Sequence, residues 1–260
     1  MSCVSFIYKN LIDLSTTSLT ATTTNAFFPL SNLKDPRSTK VYRSTGTTTS
    51  VVIDLGSAMD CDTFAMVPHF SNGFGFTGNV TVEAHTSDSW GSPSFSVTLT
   101  SGTDIDLTFN TAYEEFSATQ TYRYWRVTAT GSSFVEFSRL YLGKRNTILG
   151  RSFNYGWKYQ LNDNSKLTKN LYGQRFSDVI NRQREFSFSF KYLTKDEVDQ
   201  WFLINDYNGL TKPMFIKIGE TTIANDIDRF SGQVYLDAIP EISNSVFSKF
   251  DLSVRMSEGL

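Results

Sequence analysis

Carboxylate pairs are the residues of this chain that could perform acid–base chemistry, since a glycosidase needs only two carboxyl groups. The pairs closest in sequence are Glu114 with Glu115, Asp104 with Asp106, and Asp226 with Asp228. Neighbours on a β-strand point to opposite faces, so the two glutamates do not converge if their segment is extended. Both aspartate pairs lie beside predicted turns, where a solvated carboxylate is the simpler interpretation. We therefore predict that the chain is not an enzyme.

Metal and cofactor sites are not indicated by the residues that could form them. His69 and His85 lie at the ends of predicted strands, and Cys3 and Cys61 lack the paired spacing of a zinc site. The sequence contains no Gly-Lys-Ser/Thr phosphate loop, no G-x-S-x-G elbow and no H-E-x-x-H pair. We expect no cofactor and no metal. We interpret the cysteines as small buried side chains or a free thiol near the terminus.

Aromatic residues in predicted loops indicate binding rather than catalysis. Phe74 and Phe76 lie in the glycine-rich segment Asn72–Gly78, and Trp90 lies in a second predicted loop. A ring on a loop can stack on a sugar or fill a partner's pocket, but it can also fold back over the core. We name Phe74, Phe76 and Trp90 as candidate binding residues.

Composition and charge argue against some classes of partner. The formal net charge is −2, which disfavours a general nucleic-acid binder because phosphate neutralisation needs a basic excess. No apolar run reaches the roughly 18 residues that a membrane span needs, and no signal peptide is evident before Phe6. We therefore expect synthesis in a cytoplasm, no membrane span and no nucleic-acid specificity.

Alternating apolar and polar residues predict short strands over the first part of the chain. The predicted strands are residues 4–8, 40–44, 51–55, 63–69, 80–85, 94–99, 105–109, 123–128 and 134–142. We expect the strand that begins at Val51 to end at Gly56. Strands separated by turn residues at intervals of about 8 to 15 residues indicate an antiparallel β-sandwich rather than parallel βαβ units.

The pattern changes after Gly143, where residues 144–150 are predicted to be a connector. We therefore predict two domains, residues 1–145 and residues 146–260. The second domain is again rich in alternating strands, with one interruption by a helix. The predicted fold class is all-β and mainly antiparallel, with one short helix in the second domain.

The signals for that helix are complete. Thr194 is the predicted N-cap, and Glu197, three residues later, completes a capping box. Trp201 and Phe202 continue an apolar stripe that begins at Val198. We expect both rings to pack on the preceding strand, where three phenylalanines point to one face: Phe186, Phe188 and Phe190.

Six sequence marks in the first domain belong together. They are Ser31–Leu33, Val52–Gly56, the apolar strand to Val67, Val80–Glu83, Tyr124–Val127 and Val135–Gly143. In this order and spacing they resemble the galactose-binding-like (discoidin-type) family. The resemblance implies a jelly-roll sandwich whose variable loops bind galactose, other glycans, lipid headgroups or proteins. It also implies a structural calcium in the region of Asp35, although Lys34 and Arg37 dilute the negative charge there.

The second domain carries a different pattern. Its marks are a strand with Arg182 and Arg184, the run Leu193–Glu197, a short helix, Gly209, and a last strand that ends at Arg255 and Met256. This pattern is similar to the tail-tube-type domains of tailed bacteriophages, as in distal tail and minor tail proteins. The resemblance implies a β-sandwich or split barrel that assembles into rings around the tail lumen. The domain order is the reverse of the common distal-tail order.

From these resemblances we expect a non-enzymatic structural protein of a phage tail, located in the virion and made in the host cytoplasm. Residues 146–260 are expected to assemble with further copies into a homohexameric ring. Residues 1–145 are expected to project outward and bind host-surface glycan or other tail proteins. The alternative is a free-standing carbohydrate-binding protein or an accessory module of a glycan-degrading enzyme.

Overall fold

The computed structural model describes residues 2–69, 72–106, 111–146, 157–178, 180, 182–220 and 230–259. In these residues the chain forms eighteen β-strands, one α-helix and two short 3-10 helices, Leu11–Asp13 and Leu30–Lys34. Every pairing between the strands is antiparallel. The predicted fold class, mainly antiparallel β with one short helix, is confirmed.

The elements follow the chain in two groups. The first group is β1 (Ser2–Ile7), β2 (Ser18–Ala21), β3 (Tyr42–Arg43), β4 (Thr48–Val67), β5 (Val80–His85), β6 (Phe95–Leu99), β7 (Ile105–Asp106), β8 (Thr111–Thr130), β9 (Glu136–Phe137) and β10 (Arg139–Gly143). The second group is β11 (Lys158–Asp163), β12 (Lys166–Lys169), β13 (Arg175–Asp178), β14 (Arg182–Leu193), α1 (Lys195–Asn208), β15 (Met214–Glu220), β16 (Ser231–Leu236), β17 (Ile242–Val246) and β18 (Lys249–Glu258).

The first sheet has the order β10-β4-β8-β5-β6, with β2 beside β4 and β7 beside β8. Its two longest strands, β4 and β8, have 20 residues each and pair along their length, with register breaks between Asp54 and Met59 and between Cys61 and Thr63. Both halves of β4 contribute to one core, Ile53 from the first and Phe64 from the second. On one side of the breaks this pair is flanked by β2 and β5, and on the other side by β10 and β7, so the two strands run through both layers of a sandwich.

Gly56 does not end a strand, contrary to the sequence prediction. It has a φ of 80° and lies at the register break inside β4. A glycine tolerates this conformation, which other residues rarely adopt, so the strand changes register here and continues. The predicted strands 51–55 and 63–69 are thus two halves of one element.

The second sheet has the order β1-β15-β16-β18-β14-β11, with β17 beside β18. Its first strand, β1, comes from the start of the chain and pairs with β15 from Ser2 opposite Glu220 to Ile7 opposite Phe215. Strand pairing therefore places residues 2–7 with the second sheet, although we predicted them in the first domain. The division of the chain into two domains is otherwise still a prediction, as is the tail-tube likeness of this sheet.

Helix α1 packs on the second sheet through one face only. The capping box of Thr194 and Glu197 is present, as predicted, with the Glu197 carboxylate accepting from the Thr194 N–H at 2.5 Å. Trp201 is fully buried and its ring lies 5.9 Å from that of Phe190. Phe202 is 49% exposed, so its predicted packing on the sheet is wrong. One residue turns a helix by about 100°, which carries Phe202 off the buried face.

A third group of buried residues joins the two sheets. It consists of Ile7, Ala65, Val67, Tyr113, Tyr141 and Phe215. The rings of Tyr113 and Phe215 stack with centroids 5.7 Å apart, and the Tyr141 hydroxyl donates to Gln233 Oε1 at 2.9 Å. Gln233 in turn donates to the Pro36 carbonyl at 2.6 Å. One outer face of the sandwich is therefore covered by the second sheet.

The two neighbouring aromatic residues of α1 provide a matched test of this packing. Trp201→Ala removes a fully buried ring and should lower the free energy of unfolding by about 3–5 kcal/mol. Phe202→Ala removes a half-exposed ring and should cost less than about 1 kcal/mol. Urea unfolding followed by tryptophan fluorescence and circular dichroism measures both. Equal losses in the two variants would contradict the assigned helix face.

Candidate functional site at one end of the sandwich

Several loops meet at one end of the first sheet. Thr48 at the start of β4 lies opposite Thr130 at the end of β8, and Val80 at the start of β5 lies opposite Ala129. The segments before β4 and β5 and after β8 therefore emerge together. We call this the loop end, and it comprises residues 25–28, 43–47, 72–79 and 131–136.

Arg43 occupies the centre of the loop end. Strands β3 and β9 place it opposite Glu136, and its Nε donates to Glu136 Oε2 at 2.5 Å. The Glu136 side chain is only 4% exposed, so this pair lies on the floor of the site. The guanidinium carbon lies 4.2 Å from the ring centroid of Phe28 and 4.5 Å from that of Phe134. Two rings and a carboxylate thus fix the plane of the guanidinium.

The terminal amino groups of Arg43 are not used by this arrangement. Within the described residues its guanidinium makes one hydrogen bond, through Nε to Glu136. The Arg43 side chain is 29% exposed, so its remaining N–H groups are accessible to solvent. The site therefore presents oriented hydrogen-bond donors whose positive charge is already balanced by a buried carboxylate.

A tight turn holds an exposed ring beside Arg43. The Asn25 N–H donates to the Arg43 carbonyl at 2.9 Å, and the Arg43 N–H donates to the Phe28 carbonyl at 3.2 Å. Within the turn, the Asn25 side-chain oxygen accepts from the Phe27 N–H at 2.9 Å. Phe27 is 88% exposed, while Phe28 packs on the guanidinium. The turn thus fixes the backbone that carries an unburied aromatic side chain.

Gly75 allows the loop before β5 to approach the site closely. Its N–H donates to the Glu136 carbonyl at 3.0 Å. A Cβ built at this position would lie 2.6 Å from the Glu136 Cβ and 3.0 Å from the Phe134 ring. No larger residue fits without moving Glu136 or Phe134. A glycine is therefore required at position 75 by the close contact, not by its backbone conformation.

The three predicted binding residues are not brought together. Phe76 is 2% exposed and belongs to the core, which agrees with the alternative that the loop folds its rings back over the core. Phe74 is partly buried, and its ring lies 5.0 Å from that of Phe76. Trp90 lies between β5 and β6 at the opposite end of the sheet, where Arg126 packs on its ring at 4.7 Å. Binding by Phe74, Phe76 or Trp90 is still a prediction.

Little in the sequence indicates the Arg43 site. We predicted residues 40–44 and 134–142 as strands, but alternation does not say which strands pair. Arg43 and Glu136 are separated by 93 positions and meet only through β3 and β9. The one local signal is the pair Phe27 and Phe28 before Pro29. The residue before a proline is usually extended, and neighbouring side chains of an extended segment point to opposite sides, so both rings cannot face the same core.

Two of the residues considered for catalysis, Glu115 and Asp104, have structural partners. Glu115 accepts from the Tyr113 hydroxyl at 2.8 Å and pairs with Lys217 and Arg145. Asp104 accepts from the Thr100 N–H at 2.8 Å. Burial raises the pKa of the carboxyl group of Glu114, which precedes Glu115 in the sequence. Asp226 and Asp228 lie outside the described residues, as does the side chain of Asp106.

Groups that could hold a metal are not found in the described part of the chain. His85 Nδ1 lies 2.7 Å from the Ser94 hydroxyl. Cys61 is buried, and burial raises the pKa of its thiol. No helix among the described residues is both long and apolar enough to cross a membrane.

The carboxylate of Asp35, in the region considered for calcium, forms an ion pair with Arg37. Arg37 donates to its two oxygens through Nε at 2.9 Å and Nη2 at 2.6 Å. These bonds lower the pKa of the Asp35 carboxyl from 3.8 to about 2. A carboxylate already bonded to a guanidinium is a weak calcium ligand, and the geometry accounts for Asp35 without a metal.

Comparisons with known proteins were made against family models, curated proteins and solved structures. No family model and no curated protein matches. Among solved structures, a family 32 carbohydrate-binding module of NanJ from Clostridium perfringens, in complex with galactose, is 16% identical; the match covers 56% of this chain and 100% of the module, with a TM-score of 0.42. A Streptococcus pneumoniae fucose binding module, SpX-3, is 10% identical over 52% of this chain and 98% of the module, with a TM-score of 0.43.

A third similar structure is chitosan-binding module 1 from a chitosanase/glucanase of Paenibacillus sp. IK-5. It is 19% identical, and the match covers 52% of this chain and 98% of the module, with a TM-score of 0.39. All three are carbohydrate-binding modules, and each match covers about half of this chain. Likeness at these identities and TM-scores adds nothing to the strand pairing and core described above.

The ion pair at Asp35 gives a prediction for pH titration. Because its pKa is lowered, the stabilisation from this pair is present above the ordinary value near 3.8 and is lost as the pH falls toward 2. Carboxyl-detected NMR should find the Asp35 pKa at about 2, and Arg37→Ala should return it toward the ordinary value. Asp54, whose pKa is lowered by its hydrogen bonds to Arg123, is the internal control and should not change.

Gly75 and Gly46 provide a second test, of the floor of the site. Gly75→Ala should lower the free energy of unfolding by about 1–3 kcal/mol, because the added methyl collides with Glu136. Gly46→Ala has nothing within 4 Å of the added atom and should change it by less than about 0.5 kcal/mol. Thermal unfolding by calorimetry compares the two. A neutral Gly75→Ala would show that the loop does not sit against Glu136.

Proposed function

We propose that the loop end of the sandwich binds a glycan and that the chain acts there as a binding protein, not as an enzyme. The observation that carries this proposal is the geometry of Arg43. Its guanidinium is clamped by Phe28 and Phe134, anchored by the buried Glu136, and left with unpaired N–H groups accessible to solvent. The exposed ring of Phe27 immediately precedes Phe28 in the sequence.

These groups suit the two kinds of surface that a sugar offers. Neighbouring hydroxyls accept hydrogen bonds, and a planar guanidinium can donate to two of them at once. The C–H face of a sugar ring is apolar and packs on an aromatic side chain. Because Glu136 already neutralises Arg43, a neutral ligand can bind without leaving a buried charge unpaired. An uncharged glycan is therefore a better fit than an anion.

For the biological setting of this site we propose a carbohydrate-binding role, which needs fewer assumptions than a phage tail ring. A carbohydrate-binding protein, or an accessory module of a glycan-degrading enzyme, needs only the site itself. Support for this role comes from the residues of the loop end, Arg43 with Phe28, Phe134 and Glu136.

Variants at the loop end test glycan binding directly. Arg43→Ala should weaken binding by about tenfold or more, since hydrogen bonds from charged donors are lost. Arg43→Lys should also weaken it, because an ammonium cannot keep the planar contacts with two rings. Phe27→Ala should weaken binding without changing stability, since the ring is 88% exposed. A glycan array with the wild-type chain identifies the sugar, and calorimetric titration measures each variant.

The matched control is Phe247→Ala. Phe247 is 91% exposed and lies between β17 and β18, in the second sheet, so its loss should leave glycan affinity unchanged. Folding of each variant is checked by circular dichroism. Wild-type affinity in correctly folded Arg43→Ala and Phe27→Ala would contradict the site. Loss of binding in Trp90→Ala instead would place it at the opposite end of the sheet.

A second candidate function is a structural role in an assembly of identical chains. One observation favours it. Fifteen large apolar side chains are exposed in the described residues, and seven of them lie between positions 159 and 180. Such a concentration is typical of surface that a partner covers. A phage virion tail with a homohexameric ring is the specific form expected from the resemblance of the second domain, and no likeness reported above supports that form.

A further inference from the structure

A two-stranded arm extends from the edge of the second sheet. Strands β11 and β14 pair until Asp163 lies opposite Arg182, and pairing resumes outside the sheet in β12 and β13, with Lys166 opposite Asp178. We call residues 166–178 the arm. Its four-residue strands span about 13 Å at the usual rise of a β-strand. The arm is therefore a continuation of the sheet edge that leaves the body of the protein.

The arm has no hydrogen-bonded neighbour in the described part of the chain beyond its own two strands. All eight residues of β12 and β13 are exposed. A lone two-stranded hairpin is only marginally stable in water, because neither face is packed. Interactions within the turn at its tip must therefore hold the hairpin together.

The tip of the arm is held by its own hydrogen bonds. The Asn170 side-chain oxygen accepts from the Tyr172 N–H at 3.0 Å and from the Gln174 N–H at 2.9 Å. Gly173 has a φ of 79°, which a glycine adopts without strain. Between these residues, Leu171 and Tyr172 are 103% and 92% exposed. The turn is therefore organised in advance and presents two apolar side chains to solvent.

The charge of the arm limits what can cover it. The arm carries three cationic side chains, Lys166, Lys169 and Arg175, and one carboxylate, Asp178. It is therefore positively charged, although the whole chain has a net charge of −2. A complementary surface must be apolar at its centre and acidic at its margin.

The outer face of α1 has both properties. Phe202 and Leu203 are 49% and 58% exposed, and they lie between two exposed carboxylates, Asp199 and Asp206. These four residues follow the spacing i, i+3, i+4 and i+7, so they form one stripe along the helix. The helix as a whole carries one lysine against four carboxylates. Because the stripe and the arm are both exposed in the same chain, they do not cover each other there.

We infer that the arm of one copy packs on the outer face of α1 in a second copy of this chain. Leu171 and Tyr172 contact Phe202 and Leu203, and the cationic side chains of the arm lie beside Asp199 and Asp206. The two surfaces are different, so the contact is head-to-tail, and repetition closes a ring or continues as a filament. This inference rests on the assembly candidate above and is independent of glycan binding.

Light scattering after size-exclusion chromatography tests the contact. The wild-type chain should elute at a multiple of its 29.4 kDa mass. The double variant Leu171→Ser, Tyr172→Ser keeps Asn170 and Gly173 and should weaken association by about tenfold or more. Phe247→Ser, at another exposed turn, is the control and should assemble as the wild type does.

Charge exchange and cross-linking identify the surface that receives the arm. Lys169→Glu should weaken association, and adding Asp206→Lys to the same chain should restore it in part. For cross-linking, a Tyr172→Cys chain is mixed with a differently tagged Leu203→Cys chain, both in a Cys3→Ser background. Oxidation should then give a disulfide between the two tags. A Phe247→Cys chain in place of Leu203→Cys should not.

The possible outcomes separate this inference from the functions proposed above. A wild-type oligomer that the arm variants dissociate, together with the tag-to-tag disulfide, supports the contact. A wild-type oligomer unchanged by those variants contradicts the arm contact and leaves the assembly candidate standing. A wild-type monomer at micromolar concentration contradicts both. None of these results affects titrations with a monovalent sugar, which report on Arg43 and Phe27 alone.

Discussion

The antiparallel pairing of β4 with β8 holds both layers of the sandwich, because each strand runs through both. Ile53 and Trp125 lie opposite each other in one half, and Phe64 contributes to the same core from the other half of β4. The segments that leave this pair emerge together, which brings β3 and β9 close enough to seat Arg43 against Glu136. The binding geometry is thus a consequence of long-range strand pairing and not of any local sequence motif.

The two sheets are joined by apolar packing, and an ion pair beside the first sheet supports that contact, because the Arg139 guanidinium lies 5.2 Å from the ring centroid of Tyr141. Arg139 is 2% exposed and pairs with Asp13, while its Nε has no partner among the described residues. Burial raises the pKa of the Asp13 carboxyl, although the neighbouring guanidinium acts in the opposite direction. Removing one partner of such a pair lowers the stability of the fold by more than the intact pair contributes to it, because the other charge is left buried and unpaired. Because β1 pairs with β15, the second sheet includes residues from the start of the chain as well as from its second half.

Much of the secondary structure could be predicted from the sequence, because it depends on local chemistry. Alternation predicted β5 to the residue, and the capping box predicted the start of α1. Features that depend on distant parts of the chain could not be predicted. Gly56 permits a register break instead of ending a strand, β1 pairs across more than 200 positions, and Phe202 turns away from the sheet. In each case a tertiary contact decided between local alternatives.

The loop end and the arm belong to different sheets, and this separation has a functional consequence. Arg43 is part of the first sheet's loops, whereas the arm extends from β11 and β14 in the second. The contact proposed between the arm and α1 uses no residue of the loop end. A sugar site with few contacts binds weakly by itself, since hydroxyls exchange water for protein at little net gain. If both proposals hold, several sites on one assembly would raise the effective concentration for a repeating glycan, so self-association would strengthen sugar binding without sharing a residue with it.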